Sequence, residues 1–410
     1  MSYPREKLKN FIDVLSGFAF KSKDFTSAGV PVIKIKNVTP PTVTLDDLSY
    51  VSKEIAQAQN RFLLNYADVL IALTGSHINQ MASVVGRVAR VRHQTPSLLN
   101  QRVGKITVIN PDEMDLDYVY YYLSQDLIKI QLASKAGGAA NQANISPSDV
   151  KNLDIPFPNI DVQRRISGIL SAYDNLIENN QKQIKLLEEA ARRLYKEWFV
   201  NFRFPGYEDT PIVDGVPEGW SLRPISDFGE VVTGKTPSTE KKEYYGGNIP
   251  FVKIPDMHGC VYPVITESSL TEAGAKTQIN KFIPRNGIMV SCIATVGLVN
   301  IAVERCQTNQ QINSIILSDE RDLYYVFSAM TRLKELLEGV GSNGATMTNV
   351  NKTKFASLPV LYPSEELRDS YYSFCKPIFE KIYNLSLSVV GLKKARDRLL
   401  PKLMSGEIEV

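Results

Sequence analysis

From Ile166 onward, apolar residues recur at Leu170, Tyr173 and Ile177, pass over Asn180, and continue at Ile184, Leu187, Ala191, Leu194 and Trp198. The spacing alternates four and three without a break, which is the seam of a coiled coil with one polar member. Adding 205 to each number gives Tyr371, Cys375, Ile378, Ile382, Leu385, Val389, Leu392, Arg396, Leu399 and Leu403, apolar throughout except for Arg396. Period and register are both kept, so the chain carries two copies of one long helix. At 1.5 Å per residue, a helix over residues 164–198 is about 50 Å long. So narrow an apolar seam must be buried, and its own duplicate is the nearest partner. The expected arrangement is an antiparallel coiled coil with an approximate two-fold axis across the pair.

The segment before each helix is duplicated too. Val14-Leu15-Ser16-Gly17 answers to Val231-Val232-Thr233-Gly234, and Val30-Pro31-Val32-Ile33-Lys34-Ile35 to Ile249-Pro250-Phe251-Val252-Lys253-Ile254. Asn100-Gln101 answers to Asn309-Gln310, and residues 153–158 to residues 358–363. The shift drifts from 217 at Val14/Val231 to 205 at Leu153/Leu358, as loop insertions and deletions produce, and the order never changes. Strands are expected over residues 30–36, 68–73, 83–92, 250–253 and 287–292, and helices over 116–124 and 323–337. Mixed strands and helices without a βαβ rhythm indicate an α+β fold. The expected organisation is a first domain over 1–160, a spacer helix over 161–203, and a Pro/Gly-rich linker over 204–220. A second domain over 221–363 and a second spacer helix over 364–410 complete it. Pro377 is expected to kink or restart the second helix, and Pro401 to end or bend it. Asn180 either sits exposed or fixes the register of the helix pair.

Composition narrows the chemistry. Hydrophobic residues make up 43 % and charged residues 22 % of the chain, with a formal net charge of +3. This is ordinary for a globular protein and tolerates a polyanionic partner without demanding one. The four cysteines all lie in the second half without a C-x-x-C pair, so free thiols in a reducing cytoplasm are expected, not zinc or a disulfide framework. A polar start and the lack of a long apolar run argue for a cytoplasmic protein with no membrane segment. The three histidines stand in no metal or triad spacing. Gly229-Glu230-Val231-Val232-Thr233-Gly234-Lys235-Thr236 does fit the phosphate-cradling pattern G-x-x-x-x-G-K-[ST]. Its lead-in over 221–228 is polar and contains Pro224, Pro237 follows at once, and the sister copy has Ile12 and Phe18 where the first Gly and the Lys stand. Nucleotide binding is therefore not expected, and no catalytic constellation is evident.

Two like domains joined by stiff helices suit a ligand with two sites at fixed spacing. Duplex DNA, whose grooves repeat about every 34–36 Å, is one such ligand; a duplicated scaffold gripping two copies of a protein, without DNA readout, is the alternative. At this point the residues themselves become familiar. Residues 192–206 (RRLYKEWFVNFRFPG) and 398–408 (RLLPKLMSGEI) resemble the helix ends of specificity subunits of type I restriction–modification systems. Val216-Pro217-Glu218-Gly219-Trp220 resembles the opening of that family's second target-recognition domain, and residues 68–75 with Asn100-Gln101 resemble its recurring strand and turn. The resemblance runs along nearly the whole chain in the right order. It implies a subunit without chemistry of its own, which reads a split, asymmetric double-stranded DNA site. One target-recognition domain reads each half and the helices set the gap. It further implies docking of two adenine-N6 methyltransferase subunits, which carry S-adenosylmethionine, and of restriction subunits, which use ATP and Mg²⁺. No cofactor is expected on this chain.

Side chains able to meet DNA are basic groups and amides near strand ends and loops. The candidates are Lys34, Lys36, Thr74, Ser76, Arg90, Arg92, Gln101, Asn141 and Gln142 in the first domain, and Lys235, Lys253, Gln310 and Asn343 in the second. For any single basic candidate an ordinary surface charge is the better reading, and the polar turn residues are also explained by bonds to their own backbone. The presence of Asn100-Gln101 and Asn309-Gln310 in both copies favours a shared structural or phosphate role over the reading of different bases. The partner and spacer surface is expected at Ile177, Asn180, Ile184, Leu187, Leu194, Trp198, Ile382, Leu385, Val389, Leu392 and Leu399.

Overall fold

A computed structural model describes residues 3–137, 142–339 and 349–410, without side chains for 338 and 339. The chain forms two compact units. The first joins residues 1–175 to 393–410, and the second comprises residues 176–392.

In the first unit a six-stranded sheet runs in the order Ile12–Ser16, Val103–Val108, Val69–Ala72, Val88–Arg90, Thr42–Val43, Val38–Thr39. Its central strand Val69–Ala72 is buried on both sides. Val69 and Ile71 face a core shared with the buried tyrosines of helix Leu116–Ser124, whereas Leu70 and Ala72 face a smaller core with Ile33, Val43 and Leu99. Alternate residues of a strand point to opposite faces, so a strand covered on both sides reads as a continuous apolar run. A second sheet contains the parallel pair Val30–Ile33 and Ser97–Leu99, and Arg5–Lys7 pairs with Asp154–Pro156.

The second unit repeats the plan with fewer strands. Gly229–Thr233, Ile312–Leu317, Ile288–Ser291 and Val299–Ile301 form a sheet in the same order as the first four strands of the first unit. Tyr245–Val252 runs parallel to Gln307–Thr308, and Ser221–Pro224 pairs with Pro359–Tyr362, each matching a pairing in the first unit. The duplication read from scattered sequence matches is thus a duplication of strand order and direction.

The spacer helices are Ile160–Phe199 and Glu365–Ser405. Asn159 Oδ1 caps the first by accepting from Val162 N–H at 3.0 Å. Within the second unit the helices run antiparallel: Asn180 Nδ2 donates to Ser388 Oγ at 3.1 Å, and further along Trp198 packs on Tyr371 and Phe374. Within the first unit Asp174 meets Arg396, while Ile166 and Leu170 share a core with Leu400, Leu403 and Met404. Each globular domain is therefore sealed by its own helix and by the end of the other copy's helix. Ile177, Trp198, Ile382, Leu385 and Val389 are buried; Ile184, Leu187 and Leu194 are partly buried against the second unit's core, Leu399 against the first's, and Leu392 is half-buried. Asn180 is buried, so of its two sequence readings the exposed one is excluded.

Five local expectations are corrected. Pro377 and Pro401 both lie inside one helix, Glu365–Ser405, so the first does not restart it and the second does not end it; Cys375 and Phe379, flanking Pro377, are fully buried, and that packing outweighs the lost helix hydrogen bond. The strand expected over 83–92 is confined to Val88–Arg90, because Ile78–Ser83 winds as a 3₁₀ segment and a turn at Val85 and Gly86 follows it. The strand expected over 30–36 stops at Ile33, where Asn37 Oδ1 accepts from Lys34 N–H at 3.1 Å and starts a 3₁₀ turn. The helix expected over 323–337 is two, Leu323–Met330 and Leu333–Gly339.

The two units hold their helix ends by different chemistry. In the first, Asp174 accepts from Arg396 at 2.7 Å and from the Tyr121 hydroxyl at 2.7 Å, with the Arg90 guanidinium at 3.6 Å. Arg90 is 2 % exposed, pairs also with Asp117 at 2.8 Å, and lies 3.9 Å from the Tyr120 ring centroid. Shifted by 205, Asp174 and Arg396 become Phe379 and Ala191, and there Phe379 stacks on Tyr324 at 4.5 Å. Removing one partner of a fully buried ion pair costs about 3–5 kcal/mol, because the remaining charge is left unpaired, and Asp174 and Arg396, which are only partly buried, are expected to cost less. Asp174→Ala is therefore expected to lower the denaturant midpoint by more than Arg396→Ala, which leaves Asp174 its bonds to Arg90 and Tyr121. Equal or reversed losses would contradict this account of the cluster.

Candidate nucleic-acid interface

The residues common to both copies meet at one backbone crossing. In the first domain Gly17 N–H donates to Val103 O at 3.1 Å, Phe18 N–H to Leu99 O at 2.9 Å, and Asn100 N–H to Ile33 O at 3.1 Å. In the second, Gly234 N–H donates to Ile312 O at 3.1 Å, Lys235 N–H to Thr308 O at 2.9 Å, and Asn309 N–H to Val252 O at 3.2 Å. A Cβ on Gly17 would collide with the carbonyls of Leu99 and Asn100, and one on Gly234 with those of Thr308 and Asn309. Glycine recurs here because two backbones touch. The G-x-x-x-x-G-K-T run is accounted for in the same way. Gly229–Thr233 is an antiparallel strand, Gly229 and Gly234 are packed against backbone, and no helix opens after Lys235 to direct N–H groups at a phosphate chain.

Around this crossing the candidate side chains divide. Lys34 and Lys253 occupy matched positions after matched strands, and each ties its turn to the neighbouring strand. Lys34 Nζ donates to Ser49 Oγ at 2.8 Å above the Phe25 ring, and its pKa is lowered by burial. Lys253 Nζ pairs with Glu267 at 2.9 Å. Lys36 is bound to Asp47. Thr74 is buried, with its hydroxyl on Asn144 Oδ1 at 2.8 Å, and the Ser76 hydroxyl donates to Gln80 O at 2.8 Å. Arg90 belongs to the interior cluster described above. It leaves the set of DNA candidates, because its strand turns that side chain toward the helices and not to solvent. Arg92, half-buried, donates to the Tyr66 hydroxyl at 3.1 Å. Asn141 and Asn343 lie outside the described residues.

Exposed amides and bases remain at Gln101, Gln142, Lys235 and Gln310. Gln310 is braced, since its Oε1 accepts from the Thr236 hydroxyl at 2.6 Å. Thr236 was not among the side chains singled out from the sequence. Its sequence signal is the G-K-T run, which as a linear motif points to a nucleotide and not to Gln310. Close by on the same loop, Lys241 Nζ donates to the Tyr244 hydroxyl at 3.2 Å and Tyr245 hydroxyl donates to Pro237 O at 2.8 Å. Among the described residues no helix is long and apolar enough to cross a membrane.

Two sheet-based domains of one topology, each sealed by paired spacer helices, are the architecture that the comparisons with known proteins assign to a class, that of DNA-specificity proteins. The family model described as "Type I restriction modification DNA specificity domain" matches residues 5–189 and again 217–371, and the chain belongs to that family. It is 32 % identical over 325 residues to the HindI type I restriction enzyme specificity subunit of Haemophilus influenzae, covering 64 % of this chain and 71 % of that one. It is 26 % identical over 420 residues to the MjaIX specificity subunit of Methanocaldococcus jannaschii, covering 99 % and 93 %. A crystal structure of a type I restriction–modification S subunit from M. genitalium has the same fold, with a TM-score of 0.61 at 16 % identity, covering 98 % of this chain and 96 % of that one. The role of this chain is DNA sequence specificity.

Glycine is required at the backbone crossing and dispensable on the open face of the second spacer helix. Gly234→Ala is expected to cost about 1–3 kcal/mol, as overpacking against fixed carbonyls does. Gly391, an exposed helical glycine with open space around it, gains about 1 kcal/mol on substitution by Ala. Thermal melts of the two variants should move in opposite directions.

Proposed function

We propose that this chain is the sequence-reading subunit of a type I restriction–modification complex. Each domain reads one half of a split, asymmetric site in double-stranded DNA, and the spacer helices set the unread gap. The helices dock two adenine-N6 methyltransferase subunits, which bring S-adenosylmethionine. Restriction subunits bring ATP and Mg²⁺, and this chain contributes recognition rather than chemistry. What carries the reading is the duplicated head-and-helix unit. Paired helices preserved in period and register are the part that a ruler must keep constant. The domain segments differ in strand number and loop length, as two heads reading unlike half-sites would.

Assembly with the cognate methyltransferase subunit is expected to deposit N6-methyladenine at a bipartite sequence, read out by sequencing the modified DNA. A complex that forms but methylates without split sequence preference would sink the proposal. Inserting four residues beside Ile184 is expected to change the gap between the half-sites while each half-site keeps its letters. New letters at an unchanged gap would exclude the helices as the ruler.

A further inference from the structure

We infer that Lys235, Thr236 and Gln310 form a clamp on the phosphate backbone of duplex DNA, holding the second domain on the double helix without reading bases; this rests on the DNA-reading role proposed above. The G-K-T run then has a phosphate partner after all, on a duplex and not on a nucleotide.

Three observations lead there. The Asn-Gln pair occurs in both domains at the same backbone crossing, Asn100-Gln101 and Asn309-Gln310. A side chain common to two heads that read unlike half-sites carries no information distinguishing them. Next, the Thr236 hydroxyl takes up Gln310 Oε1 and fixes the amide plane, and Nε2 has no partner among the described residues. That presents a donor to solvent, as a phosphate oxygen requires. A Gln reading adenine needs donor and acceptor side by side. Lastly, Lys235 is exposed, its ammonium has no partner among the described residues, and its backbone is held by Thr308 O at 2.9 Å. The rest of this loop carries Lys241 and Lys242 against Glu240 and Glu243, so Lys235 leaves it with a net positive charge.

The first domain lacks this device. At the positions matching Lys235 and Thr236 it has Phe18 and Ala19, and Phe18 packs against Phe20 at 5.0 Å and Phe62 at 5.7 Å. Gln101 has no hydroxyl brace there. The clamp therefore belongs to the second domain, and electrostatic grip on the DNA is unequal between the two heads.

The test uses the full chain assembled with its methyltransferase subunits. Affinity is measured by fluorescence anisotropy on a cognate duplex and on one with the second half-site scrambled, over a range of salt, and the methylated sequence is read in parallel. Gln310→Ala is expected to weaken binding to both duplexes by the same factor, on the order of tenfold for one charge-assisted hydrogen bond, with every recognised letter kept. Lys235→Gln should reduce the slope of log affinity against log salt by about 0.9, the signature of one lost phosphate contact. Thr236→Val should resemble a partial Gln310→Ala, whereas Thr236→Ser, which keeps the hydroxyl, should bind like the parent. This series separates loss of the brace from misfolding. Gln101→Ala should have a smaller effect than Gln310→Ala. A changed letter at one half-site position in Gln310→Ala would overturn the clamp in favour of base reading, and unchanged affinity in Gln310→Ala and Lys235→Gln would overturn it outright. If the parent complex itself shows no split-site preference, the proposed function falls first and takes the clamp with it.

Discussion

Neither globular domain closes its own core, and most of the architecture follows from this. The sheet of each presents an apolar face that its own short helices only partly cover. In the first unit the rest is covered by Ile166 and Leu170 together with Leu400, Leu403 and Met404; in the second, by Ala191, Tyr195, Trp198 and Phe199 together with Tyr371, Cys375 and Phe379. Burying apolar area at about 25 cal/mol per Å² is the main driving force available to a chain of this composition. An antiparallel pair of helices is what lets the end of each copy's helix reach the other copy's sheet.

The chemistry at these closures is unequal. One unit uses a partly buried carboxylate between two guanidinium groups, the other an aromatic stack at the matched positions. An end bearing Arg396, set against Phe379, would bury a charge without a partner, and an end bearing Ala191 would leave Asp174 short of one. Buried polar groups that find partners in only one arrangement are a means of selecting that arrangement, as a single Asn does in a coiled coil. The buried Asn180 makes a further polar contact within the helix pair, to the exposed Ser388.

Much of this was legible in the chain. The heptad seam announced both helices within a few residues of their ends, since alternation of four and three has few other physical causes. Apolar runs at residues 68–73 and 287–292 announced the central strands, because burial on two faces removes alternation. The failures are as informative. Arg90 read as a basic residue on a half-exposed strand, suited to DNA; nothing local revealed that Asp174 and Tyr121, remote in sequence, would surround it. Pro377 read as a kink or restart of the helix, but the helix runs on through it, its buried neighbours overriding the restart. Thr236 was passed over because its significance lies in contact with Gln310, 74 residues away.

The sequence by itself determined what periodicity and repetition can encode: two helices in register, two copies of one domain, and a shared glycine and Asn-Gln pair whose family is recognisable. Only the tertiary structure decided what each shared residue does. Gly17 and Gly234 are explained by a crossing of two backbones, Lys34 and Lys253 by ties to a neighbouring strand, and Gln310 by a hydroxyl that holds its oxygen. Pattern is a local property and survives in one dimension. The role of a polar side chain depends on the groups that folding brings beside it, and here those partners lie tens to hundreds of residues away.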